Sequence, residues 1–199
     1  MLAKRLKLPP NPEDVLKIWR ESTIDTKAKR EIINIDRNCP RLFRSLFSKY
    51  KRADMNLKAR IEVEFDGEAG VDAGSLTREY FNILMGLLHR GDKSNMPSLF
   101  EGQEDHIVPV HSVDALSSGC FYIAGQMIAH SLLNGGVGFV GMSRAVAVYI
   151  AANGNDAEEA SVLLSTDDVP DLDTRNVLIQ ASRTYINLES PNTNQNNNH

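Results

Sequence analysis

Three carboxylates, Asp66, Glu68 and Asp72, stand among Gly67, Gly70 and Gly74, a grouping of hard oxygen ligands and tight turns that suits calcium. The spacing does not. Counted from Asp66, the loop position that requires glycine is Val71, and the one that requires a bidentate glutamate is Thr77. The residues therefore predict a structural turn, with Asp72 beside the positive end of a following helix. Gly135, Gly136 and Gly138 resemble a phosphate cradle in composition only. No lysine followed by serine or threonine comes after them, and they close a helix instead of opening one. His130, with Gln126 one turn earlier, has no cysteine, histidine or acid at ligand spacing, so it predicts a hydrogen-bonded core or boundary histidine. His89, His106 and His111 fall in loops, His199 is terminal, and their separations match no zinc pattern. Cys39 precedes Pro40 at a predicted helix start, where the helix dipole, Arg37 and Arg41 favour a thiolate, but no base is identifiable. Cys120 falls in an apolar helix and predicts a small packed hydrophobe. No residue is assigned to catalysis, to a cofactor or to a metal.

The element that positions the acidic turn is the most informative stretch of the chain. Ile61, Val63 and Phe65 alternate with Glu62 and Glu64, the period of a strand with one buried face. After the turn, Leu76, Tyr80, Ile83, Leu84 and Leu87 recur at helical spacing. Upstream, Asn11 can cap a helix with Pro12 in its first position, and Ser22 to Arg30 predicts a polar linker. Ile33 and Ile35 predict a short strand, and Pro40 a helix with Leu42, Phe43, Leu46, Phe47 and Tyr50 as its stripe.

Downstream, Arg90 to Ser98 predicts a loop that Leu99 and Phe100 anchor, followed by a second loop from Glu101 to Asp105. Ile107 to Val110 is a short extended piece that Pro109 confines to an edge. Ser117 or Ser118 then caps a helix running to Asn134, ended by Gly135 and apolar on nearly all sides, with Gly125 and Ala129 allowing close approach. Ser143 caps the next helix, which Gly154 stops. Asp156 with Glu159 resembles a capping box, and an acidic loop through Asp167, Asp168, Asp171 and Asp173 leads to a last helix near Thr174 to Ala181.

Composition narrows the function classes. A net charge of −4 argues against general affinity for nucleic acid, and the one basic concentration, Lys49, Lys51, Arg52, Lys58 and Arg60, predicts a solvated face. Two distant cysteines make no disulfide framework, which fits an intracellular, reducing compartment, cytoplasmic or nuclear. Lys4, Arg5 and Lys7 have no apolar run behind them, so no secretory signal is expected. The stretch Phe121 to Leu133 is too short and polar to span a bilayer.

The ordered residues Val63, Glu64, Phe65, Asp66, Gly67, Glu68, Ala69, then Val71, Asp72, Ala73, Gly74, and Arg78, Glu79, Tyr80, Phe81 resemble the opening of a HECT domain, the transfer module of one class of E3 ubiquitin-protein ligase. Tyr122, Gly125, Gln126, Met127, Ile128, Ala129, Ser131, Gly135 and Gly136 resemble its central helix. Leu99 and Phe100 match the end of a family loop in type. Asp168, Val169, Pro170 and Asp171 fit most nearly the divergent G2/M-phase-specific ligase-like group. Ser75 departs from the pattern, standing where the family has a second glycine. The resemblance spans about Ile32 to Gln180.

It implies an α+β, predominantly helical fold with a few short strands, a partial HECT N-terminal lobe. The expected organisation is an N-terminal helix and polar linker over 1–31, the lobe over 32–184, and a disordered asparagine-rich tail over 185–199. The family's acceptor cysteine lies in a C-terminal lobe that this chain is expected to lack, and neither Cys39 nor Cys120 matches it. The resemblance implies ubiquitin transfer in the complete family member, an inactive chain alone, and ubiquitin or ubiquitin-pathway proteins as partners. The alternative is a non-catalytic interaction module derived from the lobe. An uncovered lobe face would favour self-association.

Overall fold

The computed structural model describes residues 11–68, 74–91, 96, 98–155 and 157–189. It is an α+β structure dominated by helices, with four short strands among the described residues. Two units emerge, one of residues 1–100 and 110–139, the other of residues 101–109 and 140–199.

In the first unit, helix α1 (Pro12–Thr23) starts as its residue types predict: the Asn11 side chain accepts from the Glu13 N–H at 3.0 Å, and proline occupies the first turn. Strand β1 (Glu31–Ile35) leads through α2 (Leu42–Tyr50) to β2 (Ile61–Phe65), which returns parallel to β1 with Ile33 opposite Val63 and Ile35 opposite Phe65. A parallel pair needs a long crossover, and α2 supplies it. Ile33, Ile35, Val63 and Phe65 are buried, while Asn34 and Glu64 between them are exposed. Phe43, Leu46, Phe47 and Tyr50 are the buried face of α2. That helix begins at Leu42, two residues beyond the expected Pro40, so Cys39 lies in the preceding turn. Lys51, Arg52, Lys58 and Arg60 are exposed, as expected of a solvated face, whereas Lys49 is half-buried with its ammonium on the Asn34 carbonyl.

Helix α3 (Ser75–Arg90) has Gly74 as its left-handed cap, φ 96°, and Ser75 as its first residue. Its buried face is Thr77, Tyr80, Phe81, Leu84, Met85 and Leu88. The expected stripe is thus displaced: Tyr80 and Leu84 hold, but Leu76, Ile83 and Leu87 sit half-buried on its flank. Positions 77, 80, 81, 84, 85 and 88 make the unbroken helical series, and a buried threonine in it hid the phase. Leu99 and Phe100 are both buried, and the Phe100 ring packs on Phe121 and Phe139.

The helix expected from Ser117 or Ser118 is two helices. In α4 (Val113–Ser117) the Ser112 hydroxyl caps the Ala115 N–H, and α5 (Cys120–Leu133) starts after Gly119 at φ 72°. The Ser118 hydroxyl instead donates to the Asp114 carbonyl one turn back, and the left-handed glycine breaks the run. Nor is α5 buried all round. Ile123, Ala124, Met127, His130, Ser131 and Leu133 face the core, while Tyr122 is 71% exposed and Gly125 and Ala129 are exposed beside it.

The second unit contains a strand where a loop was expected. Strand β3 (Phe100–Gln103, whose first residue belongs to the first unit) pairs with β4 (His106–Pro109) across the turn at Glu104 and Asp105. The sequence of β3 is polar after Phe100, which conceals it. Gly102 is required there: its φ is +119°, and a Cβ would lie 2.3 Å from the His106 carbonyl oxygen. Ile107 also bridges to Met142. Helices α6 (Arg144–Ala151), α7 (Ala157–Val162) and α8 (Leu172–Glu189) follow, with a 3-10 turn at Thr166–Asp168 before α8. Ser143 is the cap residue of α6, as expected, although its hydroxyl makes no capping bond. The last helix is longer than expected at both ends. The Asp156 capping box, residues 69–73 with Asp72, and the tail from 190 lie outside the described residues. No described helix is long and apolar enough to cross a membrane.

Candidate functional site

Among the described residues, the side chains singled out in the sequence for possible chemistry are not brought together. Asp66 and Glu68 follow β2 in a turn, and Gly135, Gly136 and Gly138 follow the C-terminal end of α5. Gly136 has a packing role: a Cβ there would meet the Ser131 hydroxyl at 2.6 Å and the Phe81 side chain at 2.8 Å. Cys39 and Cys120 are free and half-buried. Cys120 is the first residue of α5, not a core residue, and its sulfur lies 3.1 Å from the Ser118 hydroxyl. Neither cysteine is bonded to a histidine or carboxylate among the described residues that would serve as its base. Among the described residues, no three histidine, cysteine, aspartate or glutamate side chains are grouped to hold a metal ion.

What the first unit does build is a buried polar chain at the meeting of α2, α3 and α5. The His130 Nδ1 lies 2.8 Å from the Tyr50 hydroxyl, which lies 3.2 Å from the Tyr80 hydroxyl. His130 is 1% exposed, and its ring meets Tyr50 and Phe81 edge-on with centroids 5.6 Å apart in each case. Burial pushes the His130 imidazole down to about 4, so it is neutral near pH 7. Burial also raises both tyrosines, with Tyr80 adding to the rise at Tyr50. The His130 Nε2 has no hydrogen-bond partner among the described residues. These are properties of a fixed core, since a proton shuttle needs an exposed end. Tyr50 and Tyr80 lie on apolar stripes in the sequence, and a buried tyrosine hydroxyl needs a partner. That was the available signal for the network.

A second cluster ties the acidic turn to its neighbours. The Arg37 guanidinium lies 3.9 Å above the Phe65 ring, donates to Glu68 at 2.9 Å and pairs with Glu79 on α3. Hydrogen bonding to Glu79 and then Glu68 raises the guanidinium pKa, and the same bond lowers the Glu79 carboxyl. One arginine thereby joins the ends of β1 and β2 to the first turns of α3.

In the second unit, His106 lies in β4, not in a loop, and its Nδ1 lies 2.9 Å from Asp168. Burial alone would raise the Asp168 carboxyl, but the bonds from His106 and the Ser165 N–H outweigh it and hold it below the usual range. Arg175 is buried, with its guanidinium donating to the carbonyls of Val169 and Pro170. The acidic loop is thus an anchor for α8.

The chain matches no family model. Over 88 residues, 42% of this chain, it is 34% identical to E3 ubiquitin-protein ligase UPL2 and to E3 ubiquitin-protein ligase UPL1, both of Arabidopsis thaliana. Over 42 residues, 21% of the chain, it is 50% identical to E3 ubiquitin-protein ligase TOM1-like of Neurospora crassa. The chain spans 2% of the length of each plant protein and 1% of the fungal one. Part of the chain is therefore similar to a short part of large E3 ubiquitin-protein ligases.

Proposed function

We propose that residues 32–184 are the first part of a HECT N-terminal lobe, acting as the scaffold of an E3 ubiquitin-protein ligase whose acceptor cysteine lies outside this chain. The carrying observation is the 34% identity over 88 residues to two such ligases. The burial of Val63, Phe65, Tyr80, Phe81, Leu99 and Met127, all residues of the HECT-like series, supports it. Within the family, the G2/M-phase-specific ligase-like group is the nearest fit. Ubiquitin and ubiquitin-pathway proteins are the corresponding partners, in a reducing intracellular compartment.

The proposed division of labour follows from the chemistry of the transfer. A thioester needs a thiolate, generated by a base or a positive environment, and a leaving thiol on the donor. Cys39 sits in a turn and Cys120 beside Ser118, and neither matches the family's acceptor position. This chain alone would then hold structure and carry no ubiquitin. A segment exchange tests the reading. The 88 matched residues of UPL2 are replaced by those of this chain, and ubiquitin-ligase activity is measured. Retained activity is expected; a folded exchange protein without activity would contradict a shared scaffold role.

The second reading is a non-catalytic interaction module that keeps the lobe's surface. The exposed Val177 and Leu178 of α8, at 64% and 42%, favour it. It expects saturable capture of ubiquitin or a conjugating enzyme by the isolated chain together with failure of the exchange protein.

A further inference from the structure

Ten described residues of the first unit line an open cleft of about 490 Å³ where α1, β2, α3 and the end of α5 approach one another. Arg20, Arg60 and Arg78 all line it, and none of the ten is acidic. Each arginine is placed by its backbone surroundings. The Arg60 carbonyl accepts from the Glu31 N–H at 2.9 Å, fixing the residue before β2. The Arg78 Nε lies 3.3 Å from the Gly74 carbonyl, which holds its guanidinium at the head of α3. The Arg20 Nε donates to the Leu132 carbonyl at 2.5 Å and is half-buried against α5. None of the three has a carboxylate partner among the described residues.

The two helix ends on the cleft carry opposite partial charges. Gly74 and Thr77 bring the N-terminal turn of the 16-residue α3 to the wall, and that first turn contains no acidic residue. The opposite wall is the C-terminal end of α5, whose carbonyls carry negative character. Those of His130, Ser131 and Leu132 are already taken by the backbone N–H groups of Asn134, Gly136 and Gly135. The Leu132 carbonyl also holds the Arg20 guanidinium, so the unmet positive charge of the cleft is chiefly that of Arg60 and Arg78, neither of which has a carboxylate partner among the described residues.

We infer that this cleft is an oxyanion-binding site for a phosphate monoester, free or carried on a side chain. Three guanidinium groups favour a dianion over a single carboxylate, and the planar fork of arginine matches phosphate oxygens bidentately. Two of the arginines, Arg60 and Arg78, are exposed, so the ligand keeps one side in water. The proposal does not rest on the ligase reading, because it uses only the charge and geometry of this unit.

Calorimetric titration of the full chain with inorganic phosphate, O-phosphoserine, and a phosphoserine peptide beside its unphosphorylated form tests it. Saturable binding of the phosphate-bearing probes is expected, with a Kd on the order of 1 mM or tighter. Arg60→Ala and Arg78→Ala should each weaken it about tenfold. Arg78→Lys, which keeps the charge but loses the fork, should fall between wild type and Arg78→Ala. A phosphopeptide much tighter than O-phosphoserine identifies a phosphorylated side chain as the source; equal affinities identify a free phosphate compound. The inference is overturned by absence of saturable binding, by equal binding of the unphosphorylated peptide, or by affinity unchanged in correctly folded Arg60→Ala and Arg78→Ala proteins.

Discussion

His130 is held neutral in the core by burial, and this gives the molecule a pH signature. Its pKa is about 4 folded against an ordinary 6.5, so the unfolded chain binds the proton more readily between those values. The stabilising difference is fully present above pH 6.5 and is lost as pH falls toward 4, amounting to about 3 kcal/mol. Urea unfolding of wild type and His130→Met at stepped pH should show this loss in wild type and a much flatter difference in the variant. Equal slopes would place the imidazole in water. Tyr50→Phe removes the hydroxyl shared by His130 and Tyr80 and should cost about 1–3 kcal/mol, measured in the same way. The histidine was legible as a core residue because no ligand-spaced partner accompanied it. Its partner was not, because Tyr50 lies 80 residues away and nothing local joins them.

The elements were legible where period and caps agreed. Ile33 and Ile35, Ile61 to Phe65, and Asn11 with Pro12 each combined a clear alternation or capping type with the right neighbours. The parallel pairing of β1 with β2 was not legible, since register is settled by packing across the crossover. Strand β3 was hidden by Glu101 and Gln103, whose polar side chains stand on an exposed ribbon, and by Gly102 between them. Gly102 is the element's weak point. Gly102→Ala combines a strained φ with a backbone contact of 2.3 Å and should destabilise by about 1–3 kcal/mol. Hydrogen exchange should show the loss in the amides of β3 and β4; unchanged protection there would contradict the tight approach to His106.

Across the whole chain, the two units differ in how much apolar surface they bury. The first contains most of the fully buried large side chains, among them Phe43, Tyr80, Phe81, Leu84 and Met127. The second leaves Val162, Leu172, Val177 and Leu178 exposed along its helices. Val177→Ser and Leu178→Ser should therefore change the stability of the isolated chain by no more than about 0.5 kcal/mol. A larger loss by thermal or urea unfolding would mean that α8 is packed. The acidic turn first invited a metal reading, yet Arg37 bonded to Glu68 and Glu79 makes it a structural joint. The central proposal is that this chain is a scaffold and that neither Cys39 nor Cys120 accepts ubiquitin. It is tested most directly by incubating the chain with activating enzyme, conjugating enzymes and ubiquitin, then comparing non-reducing and reducing gels. No reducible ubiquitin adduct is expected, whereas an adduct that disappears in Cys39→Ala or Cys120→Ala would contradict the account.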